Sequence, residues 1–471
     1  MKRFNYKVIL GNILLLFLFS MTTTAKKTWD KKPRVIVMTD IGNEPDDAMS
    51  MVRFLVYVNE FDVEGLISTT SVHLKKKSLI EKIQERIVAY GVVRDNLLKH
   101  ATGYPTKEAL LAVTKKGIEE FGMEGVGEGK DSEGSEWMIK VLDKPDHRPI
   151  WALAWGGTNC LAQALWKYRK THSSMEMEVA IGKLRVYTIS DQDDAGMWLR
   201  KTFPQLFYIV SPGTHKNGAY KMATWSGISG ERFYKFNTGA DSSIVGNPWL
   251  RQNVILNHGP LGELYPEVKF IMEGDTPSFL GLIGNGLNVP EHPEYGGWGG
   301  RYALKLPPHT EWREDEAHQI YTDSNDSVTG SDGQLYFDNH ATIWRWRADF
   351  QNDFASRMDW CIQPFNKANH PPIALVKVIL PKQFKDGRRI IVDAGKSTDP
   401  DGNKLRYHWL FYKEAGTFGG KLLIHNPGNQ ATAISVVAPN GESGEAHIIL
   451  KVSDDGNPSL TRYKRLIIPI K

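Results

Sequence analysis

The sequence predicts an α/β domain over residues 33–365, with a mainly parallel sheet covered by helices on both faces, and a small β-sandwich over residues 370–471. In the first region, apolar runs alternate with patterns of apolar residues at helical spacing, which favours parallel strands joined by helices. In the second region, short alternating strands are separated by turn sequences, which is typical of a sandwich. Residues 369–372 between the two regions have the composition of a linker.

The first 25 residues predict a secretory signal peptide. Basic residues precede an apolar stretch over residues 8–21 that is short for a membrane span, and Ala25 closes a small-residue cleavage site. We therefore expect a periplasmic or secreted protein, with a retained membrane anchor as the alternative. Residues 1–25 hold three positive charges and no acids, so their removal lowers the formal charge from +4 to +1. The charge thus gives no reason to expect a nucleic acid polymer as a partner or, after cleavage, a membrane.

Apolar runs predict the strands of the first domain, and each of the first four is followed by a helical pattern. These strands are expected at residues 34–39, 62–70, 149–154, 184–189 and 206–210. Most of them end in polar or glycine-rich residues, so a ligand site is expected at the carboxyl edge of the sheet. A later apolar run over residues 270–272 is expected to be a further strand, and the polar residues 309–340 a surface excursion.

Four acids follow the first predicted strand within one turn: Asp40, Glu44, Asp46 and Asp47. A helix cap explains one acid at such a position, and the alternative interpretation is that Asp46 and Asp47 only cap the helix. Four carboxylates repel one another, however, and need a cation or shared protons to offset the repulsion. Calcium prefers carboxylate and carbonyl oxygens, so the turn predicts a Ca²⁺ site.

This turn resembles the motif Asp-x-Asp-Pro-Gly-x-Asp-Asp-Ala of the nucleoside hydrolases, in which acids hold calcium and the catalytic water. Asp40, Asp46, Asp47 and Ala48 match the motif, whereas Met38 stands at the position of its first Asp and the loop is two residues longer. The whole pattern, Thr-Asp-Ile-Gly-Asn-Glu-Pro-Asp-Asp, is more similar to the cellulose-binding, nucleoside-hydrolase-like proteins of polysaccharide-degrading bacteria.

The resemblance implies a set of calcium ligands. Residues 156–159 resemble the family's Gly-x-Leu-Thr-Asn-x-Ala turn, in which the Thr carbonyl binds calcium. Asp275 follows the predicted strand over 270–272, where the family places its last ligand. In the nucleosidases a His precedes that Asp and is thought to protonate the leaving base, but this chain has Gly274 there. The implied ligands are Asp40, Asp47, Thr158 and Asp275.

Three of the clustered acids also carry the predicted catalysis. Asp40 is expected to act as general base on the attacking water, and Asp46 to hold a hydroxyl of the sugar. The acid that protonates the leaving group stays open between Glu44, His292 and the acids of the turn over residues 191–194.

Side chains that suit a sugar are expected around the acids. The 191–194 turn lies where the family contacts sugar hydroxyls. The glycine-rich residues 292–302 are expected to present the ring of Trp298 beside Arg301. The alternatives are a helix-capping turn and a purely structural loop. The predicted substrate contacts are Asn43, Asn159, Asp191, Asp193, Asp194, Trp298 and Arg301.

The C-terminal region resembles the immunoglobulin-like domains of the polycystic-kidney-disease type, which are common in secreted polysaccharide-acting proteins. The resemblance is carried by residues 393–402 and by Tyr407-His408-Trp409. Of the two cysteines, Cys160 is expected to be a buried free thiol, and its pairing with Cys361 stays open.

Together these features predict a secreted, calcium-dependent hydrolase of a glycosidic bond in a carbohydrate or glycoside. The missing His and the longer loop favour an O-glycoside over a nucleoside. The alternatives are a non-catalytic cellulose- or polysaccharide-binding protein and a periplasmic ribonucleoside N-glycosidase. The sequence does not predict the sugar, the linkage or the oligomeric state.

Overall fold

The first domain is built on one eight-stranded sheet. The computed structural model describes residues 31–310, 313, 315–380, 389–425, 433–437 and 443–470, and the predicted signal peptide lies outside these ranges. The strand order is β3-β2-β1-β4-β5-β6-β8-β7, and all neighbours are parallel except β7 and β8. The strands are β1 Arg34–Thr39, β2 Asp62–Ser68, β3 Thr114–Lys116, β4 Ile150–Ala154, β5 Leu184–Thr188, β6 Phe207–Val210, β7 Tyr302–Lys305 and β8 Ile320–Asp323. The predicted mainly parallel sheet is therefore confirmed.

Helices cover both faces of this sheet. In β1, Val35 and Val37 point into one apolar cluster and Ile36 and Met38 into another, which is why the strand is apolar along its whole length. The helices are α1 Asp46–Val56, α2 Ile80–His100, α3 Lys107–Ala112, α4 Glu133–Leu142, α5 Asn159–Thr171, α6 Ser174–Lys183, α7 Ala195–Thr202, α8 Ala219–Met222, α9 Glu231–Tyr234, α10 Asn247–Leu250, α11 Gly259–Glu263, α12 Pro277–Leu280, α13 Ala341–Trp344 and α14 Arg347–Asp359.

Two expectations about the late part of this domain are wrong. Residues 309–340 are not only a surface excursion, because β8 pairs with β6 inside the main sheet. A hairpin of β9 Asp326–Thr329 and β10 Leu335–Asp338 follows it. Residues 270–272 form no strand, and this segment is held by side-chain hydrogen bonds described below.

The C-terminal region contains two antiparallel sheets whose apolar faces share one core, which confirms the predicted β-sandwich. Val392, Trp409, Ile448 and Leu450 are buried between the sheets. One sheet has the order β11-β12-β15-β14 and the other β13-β16-β17. Their strands are β11 Lys377–Leu380, β12 Arg389–Asp393, β13 Arg406–Phe411, β14 Leu423–His425, β15 Ala433–Val437, β16 Gly444–Ser453 and β17 Thr461–Ile470.

Cys160 and Cys361 are both buried and both free, so the expectation of a buried free thiol at Cys160 is confirmed. The Cys160 sulfur accepts a hydrogen bond from the backbone N–H of Ile118 at 3.2 Å. Within the ranges that the structure describes, no helix is both long enough and apolar enough to cross a bilayer.

Buried charged groups on α14 hold the sandwich against the first domain. The carboxylate of Asp349 accepts two hydrogen bonds from Lys451 Nζ, at 2.6 and 2.8 Å, and further bonds from the hydroxyls of Thr461 and Tyr463. One helical turn later, Asp353 accepts from Arg462 at 2.7 Å. Ion pairs whose acids are buried are costly to separate, so these contacts make the two domains one packed unit.

Replacing Asp349 by alanine should destabilise the whole protein. The change leaves Lys451 and the Tyr463 hydroxyl without their shared acceptor, and we expect a loss of roughly 3 kcal/mol in the free energy of unfolding. Urea denaturation followed by tryptophan fluorescence measures the change. The control is Asp95→Ala, because the Asp95 side chain is 92% exposed. Equal stability of the two variants would show that this contact does not hold the domains together.

Candidate functional site

The turn between β1 and α1 places three of the predicted acids at the carboxyl edge of the sheet. The hydroxyl of Thr39, the last residue of β1, donates to Asp47 and accepts from the N–H of Ile41 at 3.1 Å. Asp46 and Asp47 occupy the first turn of α1, where the helix dipole favours negative charge. Gly42 lets the chain turn between β1 and α1. Its φ is +121°, and a Cβ there would lie 2.6 Å from Leu79.

Asp275 reaches the same place from an irregular segment that is fixed on both sides. The carboxylate of Glu273 forms a fully buried ion pair with Arg53 of α1, at 2.8 Å. The hydroxyl of Ser229 bonds both the N–H and the carbonyl of Met272, at 3.0 and 2.7 Å. Side chains therefore position Asp275, in place of the strand that the apolar pattern predicted.

Three buried carboxyls and the half-buried carboxyl of Asp46 meet as a result, and we call Asp40, Asp46, Asp47 and Asp275 the acid cluster. One oxygen each of Asp46, Asp47 and Asp275 lies within 4.8 Å of the other two. Ser71 donates to one oxygen of Asp40. Within the described residues, Asp40 Oδ1 and Asp275 Oδ2 are buried and have no hydrogen-bond partner. Unpaired buried oxygens indicate that the cluster is completed by another group.

The pKa values of the four carboxyls reflect their burial and their mutual repulsion. Burial, Asp40 and Glu44 raise the pKa of Asp46 to about 7, and burial raises the pKa of Asp40 to about 6. Burial and the neighbouring carboxylates hold the pKa values of Asp47 and Asp275 well above their usual range. A divalent cation would offset this repulsion, and an all-oxygen donor set suits calcium.

The turn that precedes α5 runs directly beside the acid cluster. A Cβ on Gly156 would lie 2.7 Å from Asp40 Oδ1, so only glycine fits. Thr158 follows two residues later, and its carbonyl accepts from the N–H of Ala162 at 2.9 Å. The turn is held by Asp193, whose carboxylate accepts from the N–H groups of Thr158 at 2.8 Å and Asn159 at 3.1 Å.

Most of the predicted sugar contacts in this region are instead internal contacts. Asp191 is buried and pairs with Arg200 through both oxygens, at 2.8 and 3.1 Å. Asp193 is used by the turn described above, and burial raises its pKa to about 7. The Asn159 amide donates to Thr70 Oγ1 and to the carbonyl of Glu120, and Asp194 accepts from the N–H of Met123 at 2.8 Å. These side chains are thus used in contacts within the protein, and Asp193 also accepts from the N–H of Ala195 at the start of α7, as the helix-capping alternative expected.

The prediction for the glycine-rich residues 292–302 is also wrong, because the ring of Trp298 is not exposed to solvent. Trp298 is fully buried and its Nε1 donates to the Tyr463 hydroxyl at 3.2 Å. Arg301 is buried and donates to Asp326 at 2.7 Å. Neither side chain is available to stack on a sugar.

His292 lies too far from the acids to serve as their leaving-group acid. It pairs with Glu294 at 2.9 Å and stacks on Tyr295. Its neighbour Glu291 pairs at 2.8 Å with Arg185, the second residue of β5, at the amino edge of the sheet. The acid cluster lies at the opposite, carboxyl edge.

The rim of the acid cluster contains a histidine that the sequence analysis missed. His73 Nδ1 lies 3.5 Å from Glu44 Oε1, and the exposed Asn43 donates to the other oxygen of Glu44 at 2.7 Å. The His73 N–H donates at 2.9 Å to Ser71, the residue that bonds Asp40. The one sequence signal is that His73 follows closely after the carboxyl end of β2.

A mainly parallel α/β sheet with clustered acids after its first strand defines a nucleoside hydrolase-like domain. The chain belongs to the family described as "Cellulose-binding Sde182, nucleoside hydrolase-like domain", which matches residues 34–302. Residues 389–470 match "Cellulose-binding protein Sde0182, C-terminal domain". The resemblance inferred from the motifs is therefore confirmed.

A solved structure shares this whole arrangement. It is a nucleoside hydrolase-related hypothetical protein from Saccharophagus degradans that is associated with carbohydrate metabolism, with 35% identity and a TM-score of 0.75, and the match covers 94% of this chain and 100% of that one. Two effector proteins, XOO4466 and XopQ with bound adenosine diphosphate ribose, match 72% of this chain and 96% of their own at 10% and 9% identity. Their TM-scores of 0.33 and 0.34 are too low to support an inference. No match was found among curated proteins.

The raised pKa values predict a pH-dependent stability of the metal-free protein. The unfolded chain releases these protons near the usual pKa of 3.8, whereas folded Asp40 and Asp46 hold them to about pH 6 and 7. The free energy of unfolding should therefore fall as the pH rises from about 4 to about 7.

The variant Asp46→Asn should show a smaller fall, because it removes one of the carboxyls. Thermal unfolding in a chelating buffer at about pH 5 and about pH 7.5 measures the difference. Asp95→Asn is the exposed control and should behave like the wild type. An equal fall in all three proteins would contradict the repulsion among these carboxyls.

Proposed function

We propose that the protein is a secreted, calcium-dependent hydrolase that cleaves a glycosidic bond in a carbohydrate or glycoside. The observation that carries the proposal is the convergence of Asp46, Asp47 and Asp275 beside a buried, unpartnered oxygen of Asp40. A pure binding surface has no need of buried carboxyls that repel one another. The family description, which names cellulose binding, supports a carbohydrate as the ligand.

The acid cluster fits a calcium ion by its donor chemistry. Asp46, Asp47 and Asp275 would hold the ion, with Asp40 and the carbonyl of Thr158 as further oxygen donors. When bound, calcium supplies positive charge that orients sugar hydroxyls and makes a water molecule easier to deprotonate. In this proposal Asp46 binds the metal ion, in addition to its predicted role of holding a hydroxyl of the sugar.

Asp40 is the proposed general base. Its Oδ2 is held by Ser71, which leaves Oδ1 free to take a proton from the attacking water. The positive charge that develops on the sugar ring as the bond breaks is stabilised by the surrounding carboxylates. Burial keeps these carboxylates away from bulk water, so each acts more strongly on that charge.

The Glu44–His73 pair is the proposed source of the proton for the leaving group. Both side chains are half-buried, with exposed fractions of 29% and 30%, at the rim of the acid cluster. Glu44 was one of the acids considered from the sequence, and the structure adds His73 beside it. Gly274 stands at the position where the nucleosidases carry their His, so the chain lacks that proton donor.

Two other functions remain to be compared with this one. A cellulose-binding protein without turnover is favoured by the family description alone. A ribonucleoside N-glycosidase is disfavoured by Gly274.

The first test is calcium-dependent release of reducing sugar from a panel of glycosides and oligosaccharides. Asp40→Ala should lower the rate at least 100-fold, the scale of a lost general base, without loss of folding. Retention on insoluble cellulose that survives chelation and Asp40→Ala, with no turnover on the panel, would identify a binding protein instead. Release of free base from inosine or uridine would identify a nucleosidase.

The second test separates proton donation by His73 from a structural role. His73→Asn should slow hydrolysis of glycosides with poor leaving groups by roughly 100-fold, because these need protonation in the transition state. Nitrophenyl glycosides, whose leaving groups need little protonation, should be cleaved at nearly the wild-type rate. His309→Asn is the control, since His309 is 75% exposed. Equal losses on both kinds of substrate would assign the proton donor elsewhere.

A further inference from the structure

We propose that a patch of basic side chains beside the acid cluster binds an anionic group of the substrate, so that the protein acts on an acidic glycan. The patch, which we call the basic patch, consists of His73, Lys75, His215 and Lys216. The anionic group is the carboxylate of a uronic acid or a sulfate ester. The inference rests on the proposed function, because it names the substrate class of the same site.

Two loops at the carboxyl edge of the sheet contain basic residues and no acidic ones. The loop over residues 69–79 joins β2 to α2 and has one histidine and three lysines, and the loop over residues 211–218 joins β6 to α8 and has one of each. The chain as a whole is nearly balanced, with 58 Lys and Arg against 54 Asp and Glu. A local excess of one sign marks a surface that attracts the opposite charge.

Backbone hydrogen bonds hold these two loops against the same turn. The N–H of Val72 donates to the carbonyl of Gln192 at 2.7 Å. The N–H of Asp191 donates to the carbonyl of Gly213 at 3.0 Å. Both loops are therefore fixed to the turn that follows β5, and their basic side chains come together.

The basic side chains gather where the two loops meet. The rings of His73 and His215 lie 5.6 Å apart. Partial burial lowers the pKa of this second ring, and the charges of His73, Lys216 and Lys75 lower it further. Lys75 Nζ lies 5.1 Å from the centre of the Phe121 ring, whose face attracts the charge and keeps that lysine at the site. Residues from two distant segments thus form one patch of positive charge.

The protein does not neutralise the lysines of the basic patch. Lys75 and Lys216 are exposed, and among the described residues neither forms an ion pair. In the segment that starts at β3, by contrast, Lys116 and Lys130 are paired with glutamates at 3.0 and 3.1 Å. The lysines of the patch are therefore available to a charged ligand.

The basic patch adjoins the proposed proton donor. His73 belongs to the patch and pairs with Glu44 at 3.5 Å. The ring of Tyr220 lies 6.0 Å from that of His73, and the Tyr220 hydroxyl is buried without a hydrogen-bond partner in the described ranges. An unpartnered hydroxyl can donate to an anionic oxygen, as lysine can. Because the proton donor serves the leaving group, the anionic group belongs on the sugar that leaves.

A substrate of this charge suits both parts of the site. The acid cluster holds calcium and sugar hydroxyls, and its carboxylates would repel an anion that met no positive charge nearby. The lysines offset that repulsion, and they fix which end of the substrate faces outward. A neutral glycan would gain nothing from these unpaired lysines.

Calorimetric titration with trigalacturonate and its trimethyl ester, which differ in charge, tests the inference. The measurements use calcium buffer and the Asp40→Ala background, so that turnover does not interfere. We expect the acid to bind more tightly than the ester, and sodium chloride to weaken binding of the acid only. The double variant Lys75→Ala, Lys216→Ala should weaken binding of the acid roughly three- to tenfold per lysine and leave binding of the ester unchanged.

A second pair of probes separates the two sources of the negative charge. It consists of a sulfated carrageenan tetrasaccharide and its desulfated form. A charge preference that depends on Lys75 and Lys216 in the first pair identifies a uronic acid. The same dependence in the second pair alone identifies a sulfate ester.

The matched control is the double variant Lys140→Ala, Lys201→Ala. It removes two exposed charges near the C-terminal ends of α4 and α7, at the amino edge of the sheet, and it should keep the full charge preference. Thermal unfolding checks that each variant folds. Equal affinity for the charged and neutral members of both pairs, no binding of either charged probe, or equal losses in the two double variants would each overturn the inference.

The outcome also distinguishes the basic patch from the hydrolase. Lysine-dependent binding of a charged probe, with no hydrolysis of any glycoside by the wild type, would support the patch while overturning the hydrolase. Calcium-dependent hydrolysis of neutral and acidic glycosides at equal rates would overturn the patch and leave the hydrolase in place.

Discussion

The constraint on which the site depends is the mutual repulsion of four clustered carboxyls. Burial and the neighbouring carboxylates raise the pKa values of all four groups, which reflects the cost of bringing them together. Such an arrangement persists only when the surrounding structure fixes it and when another charge offsets it. The hydroxyls of Thr39 and Ser71 each stabilise one carboxylate, and among the described residues no basic side chain forms an ion pair with any of the four.

The surrounding charges are arranged so that they position the acids without neutralising them. Arg53 reaches toward the segment of Asp275 but is paired with Glu273, two residues earlier. Arg200 is likewise paired with Asp191 and Glu316. Arg53 and Arg200 therefore form their ion pairs with acids outside the acid cluster.

The sequence was sufficient to predict what depends on local pattern. The apolar run of β1 and the alternation of strand and helix patterns predicted the covered sheet, and the acids at positions 40, 46, 47 and 275 were found by spacing and resemblance. The failures concern long-range partners. Glycines around Trp298 indicate backbone freedom but not exposure, and its ring is covered by Tyr463 from the other domain. No sequence pattern marks His73, a single histidine in a loop. Its possible role becomes visible only from its contact with Glu44.

The contact between Trp298 and Tyr463 bears on how the protein is made. Synthesis runs from the N-terminus, so every acid of the cluster leaves the ribosome well before the strand that holds Tyr463. Until that strand arrives, Trp298 lacks the ring 6.3 Å away and Asn285 lacks the N–H that bonds its carbonyl at 2.9 Å. A transcript truncated before the codons of β17 would encode the complete set of site residues and still yield a first domain with an unfinished interior.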